Sequence, residues 1–311
     1  MTRFAYWTFV AVLILPGLVS AHDCVDSACA QDVASIAGQD DVAHVLSDLS
    51  ADYTSGRLSS QQCHLLAHQL GRRAFDVSGL SVAGLKDAHV CRSGFIHGLF
   101  EHAVLRADSS NLSSLCLAYG PGTTARSLNC LHGLGHGLYS RFGDVEQSLA
   151  YCVKTGGGPI AAKVCAGGVF MDAFLGGHSN RPADANDSDP FVFCQRFDFA
   201  EECLRYSVLG LSRRHLSSTI SVKDCDGAPP GFSVFCRQGV GVFSAKLNDY
   251  NPRSILASCS NDSTCMNAAA FESGFSGEAF KGSALCLSTG MVESIPCWTH
   301  LVGGYSYYWG G

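Results

Sequence analysis

Apolar residues along this chain recur at a spacing nearer four than two, the period of one helix face. The pattern is carried by segments that open on a cysteine and continue as apolar, Gly- and Ala-rich runs. They are Cys63-HLLAHQLGRRAF, Cys91-RSGFIHGLFEHAV, Cys130-LHGLGHGLYSRF, Cys165-AGGVFMDAFLGG, Cys203-LRYSVLGLS, Cys236-RQGVGVFSAKL, Cys265-MNAAAFESGF and Cys297-WTHLVGGYSYYW. Successive starts lie 28 to 39 residues apart, the length of a two-helix repeat. A second cysteine closes a short segment ahead of most of them, as in Asn111-LSSLC, Glu146-QSLAYC and Ser254-ILASC. Each unit therefore reads as a short helix ending in cysteine, a loop, and a longer helix beginning with cysteine. This predicts an all-α, disulfide-stapled α-solenoid of about eight two-helix repeats. Gly167-Gly-Val-Phe and Gly239-Val-Gly-Val-Phe also look strand-like, but turn dipeptides are scarce and the four-residue period favours helix.

Small residues reinforce that period. Gly94 and Gly98, Gly133 and Gly137, and Ala67 and Gly71 are each four apart, so each pair shares a face on which a neighbouring helix can approach closely. A glycine inside a helix costs roughly 1 kcal/mol against alanine. Close packing and cross-links must offset that. Ala34 to Tyr53 reads as an amphipathic helix leading into the first long one. Gly156-Gly-Gly-Pro159, Arg181-PADANDSDP and Asp226-GAPPG231 read as loops. The aromatic tail from Tyr305 reads as a cap on the last helix. No composition shift marks a linker, so residues 22–311 read as a single helical-repeat domain.

The N-terminus changes the chemistry expected of the cysteines. Arg3, an apolar run over 9–18 and Val19-Ser20-Ala21 have the form of a secretory signal peptide at 1–21. The sixteen cysteines all follow it. In a secreted or extracytoplasmic chain an even count reads as disulfides, whereas in the cytosol it would suggest zinc. The cysteine spacing pairs Cys116 with Cys130, Cys152 with Cys165, Cys194 with Cys203, Cys225 with Cys236, Cys259 with Cys265 and Cys286 with Cys297. Cys24, Cys29, Cys63 and Cys91 pair as Cys24–Cys29 and Cys63–Cys91, or equally as Cys29–Cys63 and Cys24–Cys91. Asn111, Asn186 and Asn261 begin acceptor sequons. The whole chain has a net charge of −6, and −7 once Arg3 is removed. That mild acidity argues against nucleic acid as a partner. After the signal no stretch has eighteen uncharged apolar residues, so no membrane span is expected. A small molecule or an extracellular ligand remains.

With the thiols oxidised, metal chemistry falls to histidine and carboxylates. Three consecutive long segments carry such groups four apart: His64 and His68, His97 and Glu101, His132 and His136. On a helix each pair projects from one face, the spacing by which helical side chains chelate an ion. His97 and His136 sit six residues after their cysteines and His68 five, so adjacent helices would bring them to one groove. The set His64, His68, His97, Glu101, His132 and His136 suits a transition metal: zinc, copper or iron. Glu101 or His102 could then accept a proton, and Tyr139 could hydrogen-bond on the same face. The plainer alternative is that each histidine packs against a neighbouring carbonyl or survives from a repeat consensus. Restriction of the pairs to three adjacent repeats argues for a polar functional site. His44, His89, His178, His215 and His300 read as structural, and Asp172 and Glu272 as solvated or helix-capping acids. Cleavage after Ala21 would make His22 N-terminal, where amine and ring can chelate copper, a placement that chance alone also produces.

Cys130-LHGLGHG together with Cys165-AGGVFMD is similar to motifs in secreted, cysteine-rich bacterial proteins carrying HGxGH and CxGVFM[DE] signatures, over roughly residues 60–175. The resemblance implies a shared fold for that region and no particular chemistry. Two functions follow from the residues themselves. One is a secreted metal-binding protein that works as a metal-dependent oxidoreductase or hydrolase. The other is a non-catalytic extracellular helical-repeat scaffold binding a protein or glycan ligand.

Overall fold

A computed structural model describes residues 42–108, 112, 114–116, 125–155, 157–175, 189–214, 220–288 and 294–309. The signal segment, His22, Cys24, Cys29, His178, His215 and the sequons at Asn111 and Asn186 lie outside them. Every described element is helical, and no strand occurs among the described residues. In chain order the helices are α1 (Val42–Thr54), α2 (Ser60–Ser78), α3 (Val90–Arg106), α4 (Ala125–Phe142), α5 (Val145–Val153), α6 (Gly158–Leu175), α7 (Pro190–Cys194), α8 (Ala200–Arg214), α9 (Ser233–Leu247), α10 (Pro252–Cys259), α11 (Ser263–Phe275), α12 (Ala279–Ser288) and α13 (Ser294–Trp309). Single 3-10 turns at Gly79–Gly84 and Val222–Cys225 stand where a short helix would precede α3 and α9.

The cysteine-bearing long helices are α2, α3, α4, α6, α8, α9, α11 and α13, and each packs on the next in that order. They begin one to seven residues earlier than their cysteines, and polar caps set the start of some of them. Ser59 accepts from the Gln62 amide and receives the Gln62 side chain in return, a capping box that opens α2. Asp262 accepts from the Cys265 amide at 2.9 Å and opens α11. The aromatic tail is part of α13, which runs to Trp309. The strand-like glycine runs lie inside α6 and α9, where burial of apolar residues on nearly every side outweighs local propensity.

All six short-range cysteine pairs expected from spacing form disulfides, and Cys63 bonds to Cys91. No described cysteine is free. Six bridges tie the end of a short segment to a long helix near its start, and Cys63–Cys91 joins the starts of α2 and α3. One apolar cluster runs from Leu46 to Leu285 and contains most of these sulfurs. A second, formed by Ala270, Cys286, Cys297 and Leu301, closes the C-terminal end. Helix α6 is long and apolar enough to cross a membrane, but it is packed against α4, α5 and α8, and Cys165 to Phe170 are buried throughout.

The row of long helices curls back on itself. Helix α9 touches α2, and α13 touches α4. The Ser60 amide donates to Asp249 Oδ1 at 2.9 Å, and the Tyr53 hydroxyl bonds the Glu278 carboxylate. These contacts join residues about two hundred positions apart in sequence.

Candidate functional site: a five-imidazole cluster beneath a cavity

The cluster begins with backbone sterics. A Cβ on Gly98 would overlap the carbonyl oxygen of His68, and one on Gly94 the carbonyl of His64. In the same way Gly133 lies against His97, and Gly168 against His132. Each histidine helix is thus met by a glycine of the next helix, with main chain against main chain. Ordinary helix pairs stand about 8–10 Å apart, and a glycine at the contact removes the side chain that would hold the backbones apart.

The imidazoles consequently converge. Ring centres are 4.7 Å apart for His132 and His136, 5.0 Å for His97 and His132, and 6.0 Å for His97 and His136. His64 lies 5.5 Å from His97, and His68 lies 6.0 Å from His64 and 6.2 Å from His136. Five of the six residues singled out by spacing thus form one connected group. Glu101 joins it from the side. Its two oxygens take Arg72 Nη2 at 2.6 Å and Nε at 3.2 Å, and Oε2 stands 3.4 Å from His68 Nε2.

Several rings are orientated by acceptors. His136 Nδ1 lies 3.0 Å from Asp172 Oδ1, with both side chains buried. His64 Nδ1 lies 2.9 Å from the Cys91 carbonyl, which can only accept. Each ring therefore donates through Nδ1 and keeps its lone pair on Nε2. His97 is 8 % exposed, and its Nε2 has no hydrogen-bond partner among the described residues. Burial, with His132 and His64 adding to it, holds the His97 pKa well below the ordinary value. Burial and then Arg72 push His136 down to about 3. Both are neutral at physiological pH, the form that binds metals. Burial raises Glu101 to about 7 against the opposing pull of Arg72, with Asp172 pushing it further up.

A cavity of about 720 Å³ lies over the cluster, and all eight long helices contribute to its wall. His64, His97 and His132 form one side. Tyr206 from α8 stacks toward His132 at 6.2 Å, and Lys246 from α9 stands 3.3 Å from Glu272 of α11. His68 and His136 lie behind this layer. Among the described residues, no group of three or more His, Cys, Asp or Glu stands as a ready-made ligand set for one ion.

Other expectations need correction. Asp172 and Glu272 are neither solvated nor caps: Asp172 is fully buried on His136, and Glu272 is buried beside Lys246. Both fall seven residues after their cysteines, one place from the histidine column, which is the signal that could have found them. Arg72, Tyr206 and Lys246 had no comparable signal. His102 turns away to Asp76 at 2.9 Å. His89 is half-buried rather than on the surface, and burial beside Arg126 lowers its pKa to about 4. His300 lines the cavity mouth while its Nδ1 contacts the Pro296 carbonyl at 2.7 Å. His44 is exposed, as expected. Compared with protein-family models, curated proteins and solved structures, the chain matches none.

Proposed function

We propose that this chain is a secreted metal-binding protein that holds one transition ion on His97, His132 and His136 at the floor of the cavity, and that it acts as a metal-dependent hydrolase or oxidoreductase. The observation that carries the reading is the triangle of these three rings, with His136 orientated by buried Asp172. Imidazoles sharing a tetrahedral ion, each nitrogen about 2.0–2.1 Å from it, have ring centres on the order of 5 Å apart. Two sides of the triangle are at that spacing, and rotation of the rings closes the third. His64 and His68 stand next to the triangle and would extend the ligand set, while Glu101 on Arg72 holds His68.

Charge supports the same reading. Asp172 sets a buried carboxylate against the cluster, and the His97 and His136 imidazoles are neutral. A carboxylate hydrogen-bonded to a neutral ligand ring makes that ring a better donor to a cation. A carboxylate holding the far nitrogen of a ligand histidine is the usual outer support of a metal site. Three protein ligands beside a cavity leave a coordination position for water or substrate. Glu101, pushed up to about 7, is suited to take or return a proton near neutrality. The helix order supports a solenoid of about eight two-helix repeats forming one domain, curled until its ends meet. The seven disulfides among the described residues support secretion.

The second reading is a non-catalytic scaffold that binds an extracellular ligand in the same cavity. It is favoured by the absence, among the described residues, of side chains already set for an ion. Elemental analysis of protein purified without an affinity tag separates the two. The metal reading expects about one zinc, copper or iron per chain, lost in His97→Ala and His136→Ala. A metal-free protein whose stability ignores His68→Ala plus His136→Ala leaves the scaffold.

A further inference from the structure

The cavity wall nearest His97 carries a positive charge that no carboxylate among the described residues pairs with. Lys163, Arg205 and Lys246 each have a carboxylate: Glu201 at 3.1 Å, Glu202, and Glu272 at 3.3 Å. Arg92 has none among the described residues. Its Nη2 reaches only the Ser60 carbonyl, at 3.4 Å, and its Nε is buried without an acceptor. The backbone places it there. Cys91, Arg92 and Ser93 have φ of 56°, 55° and 58°, three consecutive non-glycine residues in the left-handed region at the start of α3. Such conformations are costly, and they concentrate where a side chain is held for a ligand.

Arg92 does not act alone. Lys246 is near enough for Arg92 to weaken its hold on a proton, and near enough to bear on His97. His97, more than nine-tenths buried on the same wall, also has no hydrogen-bond partner for its Nε2 among the described residues. Apolar and aromatic side chains line the same cavity, among them Met171, Tyr206, Val242 and Phe275. A guanidinium without a carboxylate, an ammonium and an imidazole in a cavity that also has apolar walls match a molecule with one anionic head and an apolar body. A guanidinium takes a planar carboxylate in two parallel hydrogen bonds. A chamber of about 720 Å³ has the size of a small-molecule site.

We propose that this cavity binds an amphipathic carboxylate, its head on Arg92 and Lys246 beside His97 and its apolar body against Met171, Tyr206, Val242 and Phe275. The site rests on the cavity and its charges, and it stands whether or not an ion occupies the imidazole cluster. If an ion is present, the carboxylate head lies on the cavity side of it, where a substrate would be.

Calorimetric titration of the intact protein with decanoate, 1-decanol, decyltrimethylammonium and acetate tests this. Each titration is run as purified and after chelator treatment. Decanoate is expected to saturate at one per chain, at least tenfold more tightly than the alcohol, the cation or acetate, in both samples. Arg92→Gln and Lys246→Gln are each expected to weaken decanoate at least tenfold with unchanged circular dichroism. Failure of decanoate to bind, or decanol binding as tightly, overturns the proposal. If Arg92→Gln does not fold, the ligand series on the unaltered protein and Lys246→Gln decide it. Binding of decanoate by a protein that never holds metal would sink the metal reading alone. Metal binding without decanoate binding would sink this one alone.

Discussion

The carbonyl oxygen of His68 occupies the space that a Cβ on Gly98 would need. This contact between α2 and α3 ties the fold to the site, because the same close approach that staples two helices together brings their imidazoles within reach of each other. A methyl group at Gly98 cannot be absorbed by a flexible side chain, since the obstacle is backbone. Gly98→Ala is therefore expected to destabilise the protein by about 1–3 kcal/mol or more and to weaken metal binding with it. Gly303 is the control. It lies in α13, and a Cβ there meets nothing within 4 Å. Gly303→Ala should leave stability unchanged or raise it by up to about 1 kcal/mol. Urea unfolding midpoints of the two variants check both outcomes.

Asp172 acts on His136 through one nitrogen. Asp172→Asn keeps the size of the side chain but removes its charge and lets an amide nitrogen face the ring. Metal affinity is expected to fall by about 10- to 100-fold, the usual effect of losing an outer-shell partner, with little change in helix content. Competition against a chromophoric chelator measures the affinity, and far-ultraviolet circular dichroism monitors the fold. Unchanged affinity would remove Asp172 from the site.

His89 supplies a pH dependence separate from the cluster. It is held among α3 and its neighbours near Ser93 at 3.3 Å and Arg126. Its folded pKa, about 4, lies below the ordinary 6.5. The folded state therefore prefers the neutral ring. The stability this group contributes is complete above about pH 6.5 and is lost as pH falls toward about 4. His89→Gln should flatten that part of the stability profile. Thermal melts of both proteins between pH 7 and pH 4 test it, and parallel curves would show that His89 carries no such linkage.

The cross-links should differ with the length of chain they enclose. Cys116–Cys130 spans 14 residues and Cys259–Cys265 spans 6. Chain-entropy arguments give about 3 kcal/mol for the first and about 2 kcal/mol for the second. Paired Cys→Ala variants, unfolded in urea under non-reducing conditions, should rank in that order.

Much of this architecture is legible in one dimension, and the reason is local. A disulfide such as Cys225–Cys236 joins positions 11 apart, so regular spacing alone reveals the pair. His132 and His136 share a face because helices repeat every 3.6 residues. The packing of α2, α3 and α4 in order then brings five rings together. What escaped was the set of partners that depends on curvature. The Ser60–Asp249 hydrogen bond spans 189 residues, and no repeat length predicts that the row of helices closes on itself. Without that closure Lys246, Glu272 and Tyr206 cannot be placed opposite the histidines, and Arg92 looks like a surface residue next to a disulfide. Asp172 was misjudged because an acid in an apolar helix reads as solvated until its partner on another helix is known.

The central claim is that helices held in backbone contact by glycines gather His97, His132 and His136 around one ion. Anomalous diffraction at the zinc edge, from crystals of chelator-stripped protein given one equivalent of zinc, tests this most directly. The account predicts a single strong peak about 2.0–2.1 Å from one nitrogen of each of these three rings, with Asp172 still on His136 Nδ1. No peak within reach of these rings, or zinc found only at exposed His44 or His300, would contradict it.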